Sequence, residues 1–182
     1  CPGRPRYPPV AAAGAAWRLY RGAGLPVLGL TSATLAMAGQ SNGAGLLNRV
    51  REVWHVALRE GCLIMSVGGL LILLFADPAM RLFTDDAAVL AAGVPYLRIA
   101  ALISIAYVFL FITTSLLQAV RQPLYALWIG LYRQLAAPLL LYPLLSHHFG
   151  LTGLWYGVGL VTWSAGLFTL WWAHHALRRD VA

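Results

Sequence analysis

The longest uncharged stretch of the sequence, residues 134–177, is the feature that most limits what this chain can fold into. It runs for 44 residues without an Asp, Glu, Lys or Arg. A helix needs roughly 20 mostly apolar residues to cross a hydrocarbon layer about 30 Å thick. The stretch is too long for one crossing and predicts two, over about 124–146 and 152–174, joined by a hinge at SHHFGLTG, residues 146–153.

Three further apolar segments predict spans over about 25–41, 57–76 and 96–118. The chain is 60% hydrophobic and only 10% charged, whereas soluble domains carry about 25% charged residues. It therefore lacks the polar side chains that would cover a water-facing surface. The predicted fold class is all-α, a polytopic membrane bundle of about five helices over residues 25–178, with a short tail at 179–182.

The N-terminal segment, residues 1–24, has a different composition, with prolines at positions 2, 5, 8 and 9 and no repeating apolar face. A proline inside a helix removes one backbone hydrogen bond and clashes with the preceding turn. We therefore expect this segment to be disordered or non-native and not to form a membrane span.

The basic residues predict the orientation of the bundle. All 13 of them are Arg, and the formal net charge is +7. When the connections and the C-terminal tail are assigned to alternate sides, six Arg fall on one side and two on the other, so the C-terminus is predicted to be cytoplasmic. The four Arg of residues 1–24 would then lie outside, against the rule. The expected location is a bacterial inner (plasma) membrane. Seven Trp and long uncharged runs favour the lipid bilayer over nucleic acid as the partner of this basic chain.

Between the first two spans, apolar residues recur at helical spacing at Leu47, Val50, Trp54, Ala57 and Leu58. Polar and charged residues occupy the opposite face. The pattern predicts a separate amphipathic helix at the membrane interface before the second span. A Trp near a span end is typical of an interfacial belt.

The first span ends in the sequence GQSNGAG, residues 39–45. A phosphate-binding loop would need a preceding strand and a following Lys-Ser/Thr, but here Leu46 and Leu47 follow, which excludes that reading. The three glycines permit a tight turn and close helix approach. Gln40 and Asn42 are candidates for the wall of a transport path, and the alternative is that their amides cap the helix end.

Polar residues in the third span also share one helical face. Tyr107, Thr114 and Gln118 are spaced i, i+7 and i+11. A polar face on a membrane helix points into the protein, so these residues are candidates for a cavity wall. The alternative is that the hydroxyl groups bond back to carbonyls of their own helix.

Arg133 is the one charge well inside a predicted span. A guanidinium at that depth marks a functional site, unless the side chain extends to the cytoplasmic headgroups. The histidine pairs at 147–148 and 174–175 invite a metal-binding or enzymatic reading. Adjacent histidines point about 100° apart on a helix and chelate poorly, so interfacial histidines are the preferred interpretation, and no cofactor, metal site or enzymatic activity is expected.

Four motifs resemble, in order, the multidrug and toxic compound extrusion (MATE) transporters. ATLAMAGQSNGAG resembles the signature that closes the second helix of each lobe, and ADPAMRLFTDDAAVLAAGVPYLRI is similar to the outer connection and the helix after it. SLLQAVRQPLYALWIGLYRQ resembles a cytoplasmic turn, and FGLTGLWYGVGLVTW the start of the last helix. The resemblance covers about residues 25–178.

The family fold has twelve helices in two six-helix lobes, so the resemblance implies that this chain supplies part of the C-terminal lobe. It implies a secondary antiporter that exports drugs or other small organic, cationic compounds in exchange for H⁺ or Na⁺. The partner would be the missing N-terminal lobe, and the chain alone is expected to be inactive.

The sequence departs from the family where ion coupling is concerned. Some members bind sodium through carboxylates of the C-terminal lobe, but residues 99–118 contain no Asp or Glu. An ion in hydrocarbon needs a charged or multi-oxygen cage, so the coupling site is expected outside this chain. The alternative functions are a related flippase for lipid-linked sugars, whose cationic cavity would use Arg133, Arg121 or Arg98, and a non-transport membrane protein.

Overall fold

The computed structural model describes the backbone of residues 8–82 and 87–179. Side chains are described for residues 25–82, 87, 90–91, 93–135, 137, 139 and 156–177. This part of the chain is helical and has no strand. In order, the elements are α1 (Pro8–Gly43), α2 (Leu47–Arg81), α3 (Ala87–Ala119), α4 (Pro123–Leu131), a π turn (Tyr132–Ala136) and α5 (Ala137–Arg179). The predicted all-α membrane bundle is confirmed.

Helix α1 begins earlier than the sequence pattern suggested. It runs unbroken from Pro8 through residues 8–24 and into the first predicted span, with Pro26 inside it. The expectation of a disordered segment is therefore wrong for residues 8–24, while residues 1–7 lie outside the described residues. Pro8 and Pro9 occupy the first turn, where the missing N–H groups would have no helical partner in any case.

Helix α2 joins two segments that were predicted to be separate. The amphipathic segment and the second span form one 35-residue helix. Trp54 is buried, with 4% exposure, so its expected place in an interfacial belt is wrong. The helix kinks at Phe75 (φ −108°, ψ 16°), three residues before Pro78. Pro78 cannot donate to the carbonyl of Leu74, which accounts for the kink.

Helix α3 is the central element of the bundle, and α1, α2 and α5 all pack against it. Its residues Val108, Ile112 and Leu116 lie in the largest buried cluster with residues from α1, α2 and α5. A buried hydrogen bond also joins α2 to α3, from Trp54 Nε1 to Thr113 Oγ1 at 3.1 Å. By length and apolarity, two described segments can cross a membrane, Leu47–Arg81 and Gly93–Ala119.

The chain from α4 to the end of α5 turns back on itself. Tyr132 and Ser164 are joined by a 3.1 Å hydrogen bond between their hydroxyl oxygens, although a straight helix would separate them by about 48 Å. The rings of Tyr125 and Trp172 stack with centroids 4.7 Å apart. The second half of α5 therefore runs antiparallel to α4, and the reversal lies between Tyr132 and Ser164, an interval that contains the hinge expected at residues 146–153.

Close helix approach depends on glycines other than those the sequence pattern indicated. A Cβ atom at Gly69 would lie 3.3 Å from the backbone oxygen of Ala101, and one at Gly166 would lie 3.1 Å from that of Ala106. At Gly39, Gly43 and Gly45 a Cβ would meet nothing within 4 Å. The expected packing role of those three is wrong. Helices in lipid associate through close packing of small residues, and here α2 and α5 supply them to α3.

The ends of α1 and α3 have the same backbone motif. After α1, Gly45 adopts φ +72°, and the N–H groups of Gly45 and Leu46 bond to the carbonyls of Asn42 and Ser41. After α3, Arg121 adopts φ +63°, and the corresponding bonds run from Arg121 to Gln118 and from Gln122 to Leu117. Each is a Schellman motif with a left-handed residue after the helix.

Candidate functional site

One side of α3 is only partly covered by the neighbouring helices. Tyr107, Phe111, Thr114 and Gln118 lie along it and are partly or fully exposed. The flanking residues Ala106, Val108, Ile112, Leu116 and Leu117 are buried against α1, α2 and α5. We call these four exposed residues the open strip. It contains all three residues of the polar face that the sequence predicted for this helix.

Arg133 extends over the N-terminal half of the open strip, where Tyr107 and Phe111 lie. Its guanidinium carbon lies 5.1 Å from the ring centroid of Tyr107 and 5.7 Å from that of Phe111. The two rings are stacked on each other, with centroids 5.5 Å apart and an interplanar angle of 13°. The cation thus contacts a paired aromatic surface on α3.

The π turn places Arg133 in this position. Tyr132–Ala136 is a five-residue π segment between two α-helical stretches, and Pro138 follows it. Pro138 has no N–H to donate to the carbonyl of Gln134, so the α-helical bonding pattern is already broken at this point. A π turn inserts an extra residue and rotates the side chains before it relative to those after it, an arrangement frequent at functional sites.

Arg133 lies near the middle of the bundle's height. Tyr107, which it contacts, is 12 residues from the end of α3 at Ala119, or about 18 Å along the helix axis. Half of a hydrocarbon layer is about 15 Å thick. At this height the side chain of Arg133 crosses to α3 instead of following its own helix outward.

The charge of Arg133 is not balanced by the described residues. Its Nη1 is buried and has no hydrogen-bond partner among them. The two described ion pairs are Arg59–Glu60 and Arg81–Asp77, and both are solvent-exposed. Cation–π contacts contribute about 0.5–2 kcal/mol, whereas removing an ion from water costs several kcal/mol. The aromatic pair alone does not compensate the burial of Nη1.

The hydroxyl of Thr114 bonds back to its own helix, as the alternative interpretation of the polar face predicted: its Oγ1 donates to the carbonyl of Leu110 at 2.5 Å. Its oxygen retains acceptor capacity toward the open strip. Gln118 is exposed at the lower end of the strip. The strip therefore presents an aromatic pair next to the cation of Arg133 and polar groups towards the end of α3 at Ala119.

Gln40 and Asn42 lie apart from Arg133, at the end of α1. Asn42 Nδ2 donates to the carbonyl of Ala119 at 3.2 Å, which satisfies an end carbonyl of α3. Gln40 is exposed and lines a cavity of about 230 Å³ with Arg49. The structure thus places Arg133 against Tyr107, with Thr114 and Gln118 farther along the same side of α3, and places the two amides at the end of the bundle.

Two features of the site were not identified from the sequence. Phe111 completes the aromatic pair, and its position four residues after Tyr107 was the available signal. The other feature is the π turn, for which Pro138 was the available sequence signal.

Next to the site, a cavity of about 390 Å³ lies between α4 and α5. It is lined mainly by aromatic side chains, with Ser164 as its polar member: Tyr125, Trp128, Ile129, Tyr132, Ser164, Ala165 and Phe168.

The histidine pair at 174–175 does not contribute to this site. His174 and His175 are exposed on α5, and His175 contacts the ring of Trp171 at 4.7 Å. The side chains of residues 147–148 lie outside the described set. Within the described part of the chain, no group of three or more His, Cys, Asp or Glu could hold a metal ion.

A model of a known protein family matches most of the sequence. The family model MatE matches residues 8–142. The match begins where α1 begins, so it includes residues 8–24, which had been expected to be non-native. The sequence matches no curated protein.

Solved structures share the fold of the whole described bundle. One is described as the "outward-facing conformation of a multidrug resistance MATE family transporter of the MOP superfamily"; it has a TM-score of 0.86 and 22% identity over 94% of this chain. The corresponding inward-facing conformation has a TM-score of 0.83 and 20% identity over 95%. A MOP superfamily transporter from Pyrococcus furiosus, described by a "reverse polarity of binding pocket", has a TM-score of 0.88 and 21% identity over 95%.

This chain matches only part of each of those solved structures. The chain covers 39% of the outward-facing transporter and of the Pyrococcus furiosus protein, and 43% of the inward-facing one. It therefore spans about two fifths of the length of the solved transporters that it resembles.

Proposed function

Because the chain belongs to the MatE family, we propose that it is one lobe of a membrane transporter that exports small organic compounds by alternating access. The observation that carries this proposal is the fold, which has nearly the same TM-score to an outward-facing and an inward-facing transporter, 0.86 and 0.83. A lobe that keeps its packing in both states can rock as a rigid body against a second lobe.

The packing of α3 supports a rigid lobe. Its contacts to α2 and α5 are close backbone approaches at Gly69 and Gly166, and Trp54 bonds to Thr113 across the α2–α3 interface. At one end, Asn42 ties α1 to α3, and Arg51 bonds to the carbonyl of Leu177 at the end of α5. Motion between lobes would leave these contacts intact, and the open strip would face the substrate cleft.

We place the coupling site, for H⁺ or Na⁺, in the second lobe. The described acidic residues are Glu52, Glu60 and Asp77. Glu52 is exposed, and the other two pair with Arg59 and Arg81. None of the three belongs to the open strip, whose polar groups are hydroxyls and one amide. Sodium binding needs several oxygen ligands, and proton coupling needs a titrating group.

The proposed orientation puts the C-terminus in the cytoplasm of a bacterial inner membrane. The ends of α1, α3 and α5 and the start of α2 meet at one end of the bundle, as the bonds Asn42–Ala119 and Arg51–Leu177 show. This end carries Arg49 and Arg51, in agreement with the positive-inside rule.

Transport by the natural gene product that contains these 182 residues tests the proposal. We expect vesicles that contain it to extrude organic dyes when a proton or sodium gradient is imposed. We expect vesicles that contain the 182-residue chain alone to show none, because one lobe does not enclose a pathway. Gradient-independent leakage in empty vesicles is the control. Failure of the natural product to move any of a panel of anionic, neutral and cationic dyes would contradict the proposal.

Arg133 also supports a second candidate, a flippase for lipid-linked sugars of the same superfamily. Such a substrate carries pyrophosphate, and a cation at mid-height could bind it. Arg121 and Arg98, the other cations considered, are exposed and do not join Arg133 on the open strip. Flipping of a fluorescent polyprenyl pyrophosphate in vesicles tests this candidate. Unchanged flipping in the Arg133→Ala variant would remove its support.

A further inference from the structure

We propose that Arg133, the π turn and the aromatic pair on α3 form a binding site for the acidic group of a small organic anion. The inference rests on the proposed transport function and names its substrate class. It replaces the cationic substrate that the sequence resemblance suggested. The ligand would be an aromatic or amphipathic carboxylate, phosphate or sulfonate that enters through the open strip.

The first argument is the unbalanced charge. Arg133 carries a guanidinium that stays protonated in proteins, its Nη1 is buried, and no described residue accepts a hydrogen bond from that atom. The rings of Tyr107 and Phe111, with centroids 5.1 and 5.7 Å from the guanidinium carbon, supply no oxyanion to it. Nη1 therefore lacks the acceptor that a bound oxyanion would supply, since oxyanions bind Arg through paired hydrogen bonds.

The second argument is accessibility. Arg133 as a whole is only half-buried, so part of the side chain reaches the open face of α3. The residues after it, Gln134 and Leu135, are exposed as well. A ligand in the cleft can therefore approach the cation without displacing a packed helix.

The third argument is the absence of competing negative charge among the described residues near the strip. The strip itself consists of Tyr107, Phe111, Thr114 and Gln118, which are all uncharged. An organic cation placed on it would meet Arg133 as a like charge, and that repulsion is strong where the dielectric constant is low. An organic anion would remove the uncompensated charge. The aromatic rings beside Arg133 suit a ring-bearing ligand.

The position of Arg133 along its helix favours a free organic anion over a phospholipid headgroup as the ligand. Phospholipid headgroups also carry oxyanions, but they lie at the interface, and Arg133 lies about 16 Å along its helix from Gln122. A small organic anion that enters the cleft reaches this level, whereas a headgroup would have to be drawn into the bilayer centre. The proposal therefore commits to a small organic anion, and lipid is an outcome of the test.

The test compares two ligands that share one ring system and differ in charge, 2-naphthoate and 2-naphthylmethylammonium. Binding to the purified chain in a neutral detergent is measured by equilibrium dialysis. We expect saturable binding of the anion, at least tenfold stronger than that of the cation, because a hydrogen-bonded charge pair contributes about a factor of ten or more. Phosphatidylglycerol, added as a competitor, should not displace the anion.

Variants connect the binding to Arg133. We expect Arg133→Gln to weaken naphthoate binding about tenfold or more and Arg133→Lys to retain part of it. The matched control Arg98→Gln, which removes an exposed Arg of α3, should leave binding unchanged. Circular dichroism and gel filtration verify that each variant is folded. If Arg133→Gln does not fold, the inference is still tested by whether the unmodified chain and Arg133→Lys bind the anion more strongly than the cation.

Several results would overturn the inference. These are equal or stronger binding of the cation, unchanged anion binding in folded Arg133→Gln, an equal loss in Arg98→Gln, and displacement of the anion by phosphatidylglycerol. The assay needs no transport. Anion binding without dye extrusion by the natural gene product would contradict only the transport proposal, and extrusion without a preference for anions would contradict only this inference.

Discussion

The residue after α3 gives a prediction whose size follows from the backbone. Arg121 adopts φ +63°, in the left-handed region that favours glycine. Its side chain is exposed, and the N–H groups of Arg121 and Gln122 close the Schellman motif. A left-handed conformation costs a non-glycine residue about 1–2 kcal/mol. Replacement by glycine removes this cost.

Glycine also loosens the unfolded chain, which offsets about 0.4–1 kcal/mol of the gain. We therefore expect Arg121→Gly to be more stable than Arg121→Ala by about 0.5–1 kcal/mol. The comparison with Ala matters because both variants lose the same charge near a helix end, a contribution of about 0.3–1 kcal/mol. For a chain of this size the difference corresponds to about 1–4 °C in melting temperature.

The assay is thermal unfolding in detergent, followed by circular dichroism. The reciprocal change, Gly45→Ala, should lower the melting temperature by a similar amount. Gly45 has φ +72°, and open space surrounds its Cβ position, so strain of the backbone is the only penalty. An Arg121→Ala variant as stable as Arg121→Gly, or a Gly45→Ala variant as stable as the unmodified chain, would refute the assigned conformation.

Two further predictions concern helix packing. A double-mutant cycle of Trp54→Phe and Thr113→Val should give a coupling energy of about 0.6–1.7 kcal/mol for their hydrogen bond, measured by unfolding in detergent; additive effects would contradict it. Gly166→Val should destabilise the bundle by about 1–3 kcal/mol, since its Cβ would lie 3.1 Å from the backbone oxygen of Ala106. Gly29→Val, at a position with open space, is the matched control and should change the melting temperature much less.

Sequence periodicity predicted the site to the extent that the site lies on one helix. Tyr107, Thr114 and Gln118 share a face of α3 because their spacing follows the 3.6-residue repeat. The aromatic partner Phe111 lies on that same face, one turn after Tyr107. What the spacing could not show is that the face stays uncovered, because covering depends on where α1, α4 and α5 pack.

The position of Arg133 could not be read from its own segment. Near a span end the side chain of an Arg can extend to the headgroups or cross to a neighbouring helix. Its sequence neighbours do not distinguish these two directions. The π turn and the reversal after α4 bring it beside Tyr107 at mid-height. Trp54 shows the same limit, since a Trp near a predicted span end is in fact buried and bonded to Thr113.

The sequence by itself determined the class of the protein and the local chemistry of its chain. A chain with 10% charged residues has to bury its backbone polar groups in helices when it lies in lipid, and Gly45 permits the left-handed turn after α1. Only the tertiary structure decided which glycines let helices approach, which amide caps a neighbouring helix and where the cation of Arg133 lies. Those properties arise from contacts between segments far apart in sequence, and the periodicity of a single segment does not encode its neighbours.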